Sequence, residues 1–305
     1  MSTVADTSPV RSVTGFLGRH ARGLTLANIL AQGGIIVTGG AVRLTGSGLG
    51  CSTWPECEPG RFTPEFHAEA GLHPFIEFGN RTLTFVLLII AVALAVAVWR
   101  ARPELKWWGL VPLLGVVGQA VVGGITVLVE LHPLVVAPHF LLSTLLVWNA
   151  VWLALRFRDA PRRAGAPMPW HRRTLTVLLA GLLVLGVLTT GAGPHSGDAE
   201  ATERLALDPV AVARIHALTV WAFVIVFAAL VWRLRRDVSA GGRDEVRKAW
   251  LVLAAVTAAQ GVIGYTQFFL DLPELLVGLH LAGAAALTGA HAAFHYLTRA
   301  ERTAA

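Results

Sequence analysis

The sequence predicts an all-α integral membrane protein, with eight transmembrane helices forming two four-helix bundles related as a parallel repeat. Three observations carry this. Of 305 residues, 54% are hydrophobic and 14% charged, and the mean hydropathy is +0.61, beyond what a soluble domain needs for its core. Eight apolar runs are each long enough, at about 20 residues, to cross a hydrocarbon layer of about 30 Å. A Gln-to-His motif recurs in the two halves of the chain.

In order, the spans cover residues 24–44, 74–99, 107–130 and 138–156, then 174–194, 210–232, 249–270 and 275–297. This gives an N-terminal tail (1–23), a first half (24–156), a linker (157–173), a second half (174–297) and a C-terminal tail (298–305). The linker, FRDAPRRAGAPMPWHRR, has the Pro, Gly and Arg content of a connector. The first 23 residues are polar and basic and the first apolar run is long enough to remain as a span, so no cleaved signal peptide is expected.

The net charge of +6 might suggest a nucleic-acid partner, but the basic residues are sorted by side. Arg11, Arg19 and Arg22 precede the first span, and Arg100, Arg102 and Lys106 follow the second. Arg156, Arg158, Arg162, Arg163, Arg172 and Arg173 follow the fourth; Arg233, Arg235, Arg236, Arg243, Arg247 and Lys248 follow the sixth; Arg299 and Arg302 lie in the tail. If every run crosses, all of these share one face, which the positive-inside rule makes cytoplasmic together with both termini. These are solvated loops that set topology, with membrane lipid as their neighbour and no nucleic acid required.

The repeat is specific. Gln119 to His139 reads QAVVGGITVLVELHPLVVAPH, and Gln260 to His280 reads QGVIGYTQFFLDLPELLVGLH; each has Gly four residues after Gln, a Thr shortly beyond, and His twenty residues after Gln. VTGGAVRLTGSG (Val37 to Gly48) resembles VLTTGAGPHSG (Val187 to Gly197), and spans two and six likewise open with EFGNR (Glu77 to Arg81) and VARIH (Val212 to His216). Four spans per unit put corresponding positions on the same side, so the axis runs along the membrane normal. One ligand pocket is expected inside each half. Gly115, Gly118, Gly123 and Gly124 would let helices approach closely.

Histidines within spans are the informative ones, because an unpaired imidazole in hydrocarbon is costly. His216 and His280 fall at similar depth in the sixth and eighth spans, near the outer face. Facing each other across a bundle, they could ligate haem iron from both sides; alternatively each bonds a backbone carbonyl. In the first half His139 matches His280, but Asn80 stands where His216 would be. An iron held by His139 would keep its sixth face open.

Glu77 precedes Asn80 and Arg81 by three and four residues, on one helical face. Desolvated, it could accept a proton or stabilise positive charge developing on a substrate; the alternative is an ion pair with Arg81. Arg43, Arg81 and Arg214, near outer helix ends, could grip haem propionates or lipid phosphates. His67, His73, His132 and His195 read as loop residues, though one of the first three could supply the missing ligand. His291 and His295, at the inner end of span eight, and the loop residues His20 and His171 carry no assigned role. Cys51 and Cys57 lie in the long outer loop, where an oxidising exterior allows them to pair; metal binding is the weaker alternative.

Together these residues resemble the haem A synthase family of the CtaA type. GGAVRLTGSGLGCSTWPEC (Gly39 to Cys57) is similar to the family's first-span and outer-loop signature, and Glu77, His139, His216 and His280 fall where members carry theirs. The resemblance, over about residues 24–297, implies oxidation of a methyl group of haem O to the formyl group of haem A, through an alcohol, for cytochrome oxidase assembly. It implies haem b on His216 and His280, substrate haem on His139, Glu77 as catalytic acid or base, and a Cys51–Cys57 disulfide. It also implies an electron acceptor, and haem O synthase as the expected upstream enzyme. Members commonly carry His where this chain has Asn80. The competing readings are a membrane b-type cytochrome that only carries electrons, and a haem transporter or chaperone.

Overall fold

The computed structural model describes residues 16–17, 19–160, 162, 169–195, 197–198, 201, 203–236 and 243–299. The expectations for Arg11, Arg163, Arg302, most of the N-terminal tail, the middle of the linker and the end of the C-terminal tail lie outside these residues. Among the described residues, eight helices are long and apolar enough to cross a membrane. They are α1 (Ala21–Leu44), α2 (His73–Ala101), α3 (Lys106–Leu128), α4 (Pro133–Phe157), α5 (Pro169–Ala192), α6 (Pro209–Arg236), α7 (Arg243–Phe269) and α8 (Glu274–Leu297).

Several helices start earlier than the apolar runs that announce them. α4 begins at Pro133, five residues before the predicted 138, because proline's fixed φ suits a first helical turn and the His132 side chain caps it, accepting from Leu134 N–H at 3.3 Å. α5 and α7 also extend by several polar and basic residues, Trp170 to Arg173 and Asp244 to Lys248. Such side chains can sit at a membrane boundary with their stems on apolar surface and their heads in water.

The duplication is visible in the backbone. The α3–α4 turn places Glu130 and Leu131 at φ 52° and 60°, and the α7–α8 turn places Asp271 and Leu272 at 56° and 61°. Both turns close alike: Leu131 N–H donates to Thr126 O and Leu272 N–H to Gln267 O, each at 2.8 Å. Left-handed conformations at non-glycine residues cost of order 1–3 kcal/mol each, so two matched pairs mark an inherited turn.

The halves pack differently. In the first, α1 to α4 touch in sequence and α4 closes onto α1; in the second, α5 packs on α6 and α7 on α8, while the α6–α7 and α5–α8 contacts are slight. The halves meet through α1, α4 and α8. Gly40 and Gly278 make room there: a Cβ at Gly40 would lie 3.1 Å from Leu281 Cδ1, and one at Gly278 3.2 Å from Leu44 Cδ1.

The main apolar core lies toward the end that carries the termini, where Trp152, Leu175, Leu179, Phe223, Phe227, Leu253 and Phe294 of α4 to α8 interdigitate. Loops at this end are clasped: Arg102 donates to both Asp159 oxygens at 2.7 and 3.0 Å and to Phe157 O at 3.0 Å. These bonds hold the Asp159 carboxyl below its usual range. At the opposite end, Gly48 N–H donates to Gly197 O at 2.8 Å, tying the outer loops of the two halves together, and within the second half the His195 ring bonds Leu272 O at 3.0 Å. The core is thus displaced to one end, and the site occupies the other.

Candidate functional site

His216 of α6 and His280 of α8 face each other with ring centroids 6.5 Å apart. Two metal–nitrogen bonds of about 2 Å on opposite sides of one ion would set imidazole centres about 6.4 Å apart. The rings sit against glycines: a Cβ at Gly186 would lie 3.6 Å from His216 Cε1, and one at Gly264 3.2 Å from His280 Cε1. Both Nδ1 atoms are buried without a hydrogen-bond partner, while the His216 ring also bonds the Leu182 backbone, so for that residue the carbonyl-bonded alternative stands beside the ligand reading. The α5–α6 and α7–α8 pairs touch each other only loosely, and the two rings face each other across that seam. These features fit a haem held by two axial imidazoles.

The first half instead holds a cavity of about 540 Å³ whose lining includes His139, Glu77, Asn80, Arg81, Arg43 and Gln119, within the range of about 300–1,000 Å³ typical of cofactor and ligand sites. His139 repeats the seat of His280, with a Cβ at Gly123 lying 3.2 Å from its Cε1 and its own Nδ1 buried and unpartnered. At the repeat position of His216 stands Asn80, whose Oδ1 accepts from Thr38 Oγ1 at 2.7 Å. Loop histidines do not fill the gap. His73 bonds Ser47 Oγ at 2.8 Å, His67 approaches Glu58, and His132 caps α4; none of the three lines the cavity.

Glu77 is 5% exposed and both its oxygens are engaged. Oε2 accepts from Cys51 N–H at 2.7 Å, and Oε1 accepts from Arg81 Nε at 3.0 Å and from Arg81 Nη2. Arg81 also donates to Thr53 O at 2.9 Å and Glu56 O at 3.2 Å. Those carbonyls belong to the loop that the Cys51–Cys57 disulfide closes. The pair is the buried ion pair weighed in the sequence, and it lies in the cavity wall. It also seats the disulfide loop, whose Trp54 lines the cavity and lies where a Cβ at Gly124 would stand.

Two expectations change. Gly123 and Gly124 serve the site, yielding space to His139 and Trp54, while Gly118 faces open space; among the four, Gly115 admits a neighbouring helix, through Leu146. The first cavity is also not enclosed by its own half, since Thr190, Gly191, Gly197, Arg204 and Leu281 share its wall. Arg43 spans that junction, donating from α1 to Thr190 O at 3.3 Å and to His195 O. Of the basic residues singled out, Arg43 and Arg81 line the cavity, whereas Arg214 is exposed and outside its lining.

Arg204 and Gln119 emerge from the structure. Gln119 Nε2 donates to His139 O at 2.9 Å and to Ser143 Oγ, bracing the α4 turn that carries the histidine. Its recurrence as Gln260 in the repeat was the available signal. Arg204 sits in a loop without repeat counterpart, and nothing in the sequence marked it. His291 and His295 lie at the far end, sharing Thr176 Oγ1.

An eight-span membrane protein with a facing histidine pair in one half, and a single-histidine cavity with a buried carboxylate in the other, is a candidate membrane haem oxidoreductase. The chain belongs to the COX15-CtaA family, described as cytochrome oxidase assembly protein, which it matches over residues 22–292. It is similar to a heme A synthase of Geobacillus kaustophilus, 31% identical over 50% of this chain and 48% of that one. A heme A synthase of Bacillus pumilus is 36% identical over 42% of each. The chain thus spans about half the length of these two relatives. A heme A synthase of a Methylobacterium species is 30% identical over 78% of this chain and 81% of its own.

Proposed function

We propose that the protein is a haem A synthase, oxidising a methyl group of haem O to the formyl group of haem A for cytochrome oxidase assembly. The observation that carries this is the asymmetry of the two sites: a closed histidine pair in one half and, in the other, a roomy cavity with one histidine and the Glu77 carboxylate in its wall. A carrier of electrons alone gains nothing from the second arrangement. A transporter needs a polar path to both faces, and the polar cavity residues lie toward the disulfide end.

In this reading residues 24–156 hold the substrate and residues 174–297 the cofactor. His216 and His280 would hold haem b, which when bound supplies one-electron transfer. His139 would hold the iron of haem O, and Arg43 and Arg81 lie where carboxylate groups of the substrate would meet charge. Methyl to formyl removes four electrons in two stages, by way of the alcohol and then a geminal diol that loses water. Glu77 is the carboxylate available to take a proton or balance charge at the reacting edge. The electrons leave to an acceptor outside the chain. Haem O arrives from haem O synthase, and the termini face the cytoplasm, where the basic loops belong.

The direct test is to express the chain with a haem O synthase in cells lacking haem A and to separate the extracted pigments. Haem A is expected; accumulation of haem O alone would overturn the assignment. A second expectation concerns the loop. Gly124→Ala forces the Trp54 indole off its seat, an overpacking costing about 1–3 kcal/mol. Retention of haem O on purification should fall while the low-spin spectrum of the His216–His280 site is unchanged; equal loss at both sites would show a global defect instead.

A further inference from the structure

We infer that Thr38 and Asn80 form a fixed hydrogen-bond donor on the cavity face opposite His139, serving a small ligand that binds the substrate haem there. This rests on the assignment of His139 as the haem ligand and says what stands on the other side.

The repeat places Asn80 where the second half has His216, so at that position α2 offers the cavity an amide, which makes a poor iron ligand. It is not a loose replacement. The Thr38 hydroxyl lies 2.7 Å from Asn80 Oδ1, the shorter of its two contacts, the other being Ile35 O at 3.3 Å. A hydroxyl that donates to the amide oxygen fixes which end of the amide is which. Nδ2 then points away from that bond, 4.0 Å from where a Cβ at Gly39 would stand. It has no protein acceptor among the described residues, and both Asn80 and Gly39 line the cavity.

A glycine of the first helix of each half adjoins the position, Gly186 beside His216 and Gly39 beside Asn80. A polar donor left in an apolar cavity costs free energy unless something accepts from it. A small ligand of the haem, with a lone pair toward Asn80, is the acceptor this geometry suits.

The test uses the full-length chain loaded with haem O, reduced and exposed to carbon monoxide, which the closed His216–His280 site does not admit. The probe is the infrared C–O stretch, which falls when a donor points at the bound molecule. Wild type should form the adduct, and Asn80→Leu should move the stretch to higher frequency. Thr38→Val, which keeps the amide but frees it, should give a smaller upward shift or a split band. Cyanide affinity of the oxidised Asn80→Leu protein should fall by roughly three- to tenfold, the worth of one hydrogen bond. Asn80→His should convert the site to low spin and abolish the adduct.

Failure of wild type to bind carbon monoxide would overturn the inference, as would an unshifted stretch in Asn80→Leu. A downward shift there would mean that the amide presents its oxygen, and an unmoved Thr38→Val band would remove the clamp. His139→Ala separates the two readings: retention of an unaltered haem O spectrum in that variant defeats the ligand assignment itself, whatever the Asn80 variants do.

Discussion

His216→Ala and His280→Ala are each expected to abolish the six-coordinate low-spin haem spectrum of the purified protein, with near-complete loss from either change alone. The two rings stand 6.5 Å apart, centre to centre, on different helix pairs. Each ring is seated against a glycine, a Cβ at Gly186 lying 3.6 Å from His216 Cε1 and one at Gly264 3.2 Å from His280 Cε1. Removing one imidazole therefore leaves a five-coordinate iron, and added imidazole should restore the low-spin bands. The same variants should unfold at lower temperature than wild type when haem is present and at the same temperature when it is absent, because a bound ligand stabilises in proportion to the logarithm of its affinity. A low-spin spectrum that survives in either variant would show that the pair is a structural contact and that haem b, if bound, is held elsewhere.

How much of this was legible in the sequence follows from what kind of physics each feature depends on. Eight spans follow from apolar run length, a property of composition, and the starts of α4 and α5 were missed because turn chemistry at Pro133 and interfacial residues such as Trp170 extend helices past the apolar runs. The repeat, and with it the mismatch of Asn80 and His216, is a matter of alignment and needs no coordinates. The loose packing between helix pairs in the second half is not, since the helices there carry the same kind of residues as their tighter counterparts in the first. Arg204 and the sharing of the first cavity between halves depend on contacts between loops distant in sequence, such as Gly48 with Gly197, for which no periodic pattern exists. Thr38 reads as one more small residue in a span until its hydroxyl is seen 2.7 Å from Asn80.

The second large effect is expected at Glu77, and its interpretation turns on the choice of variant. Glu77→Ala removes the acceptor of Cys51 N–H and strands the Arg81 guanidinium, whose side chain is 17% exposed. Breaking a buried pair from one side costs about 3–5 kcal/mol. Loss of haem A formation in that variant alone would thus be equally explained by a displaced disulfide loop, since Arg81 also holds the carbonyls of Thr53 and Glu56. Glu77→Gln is the sharper instrument. The amide oxygen can still accept from Cys51 or Arg81, and the shape is kept, but the group no longer takes up a proton or carries charge. If Glu77 acts on the substrate, Glu77→Gln should retain haem O and the low-spin spectrum of the His216–His280 site while haem A formation falls by about 10²- to 10⁴-fold, the usual weight of a general acid or base. If Glu77 only anchors the loop, Glu77→Gln keeps most of the activity and Glu77→Ala loses it together with haem O retention. The contrast between the two variants, read as pigment composition against haem content, decides whether the buried carboxylate takes part in the chemistry or only shapes the cavity around it.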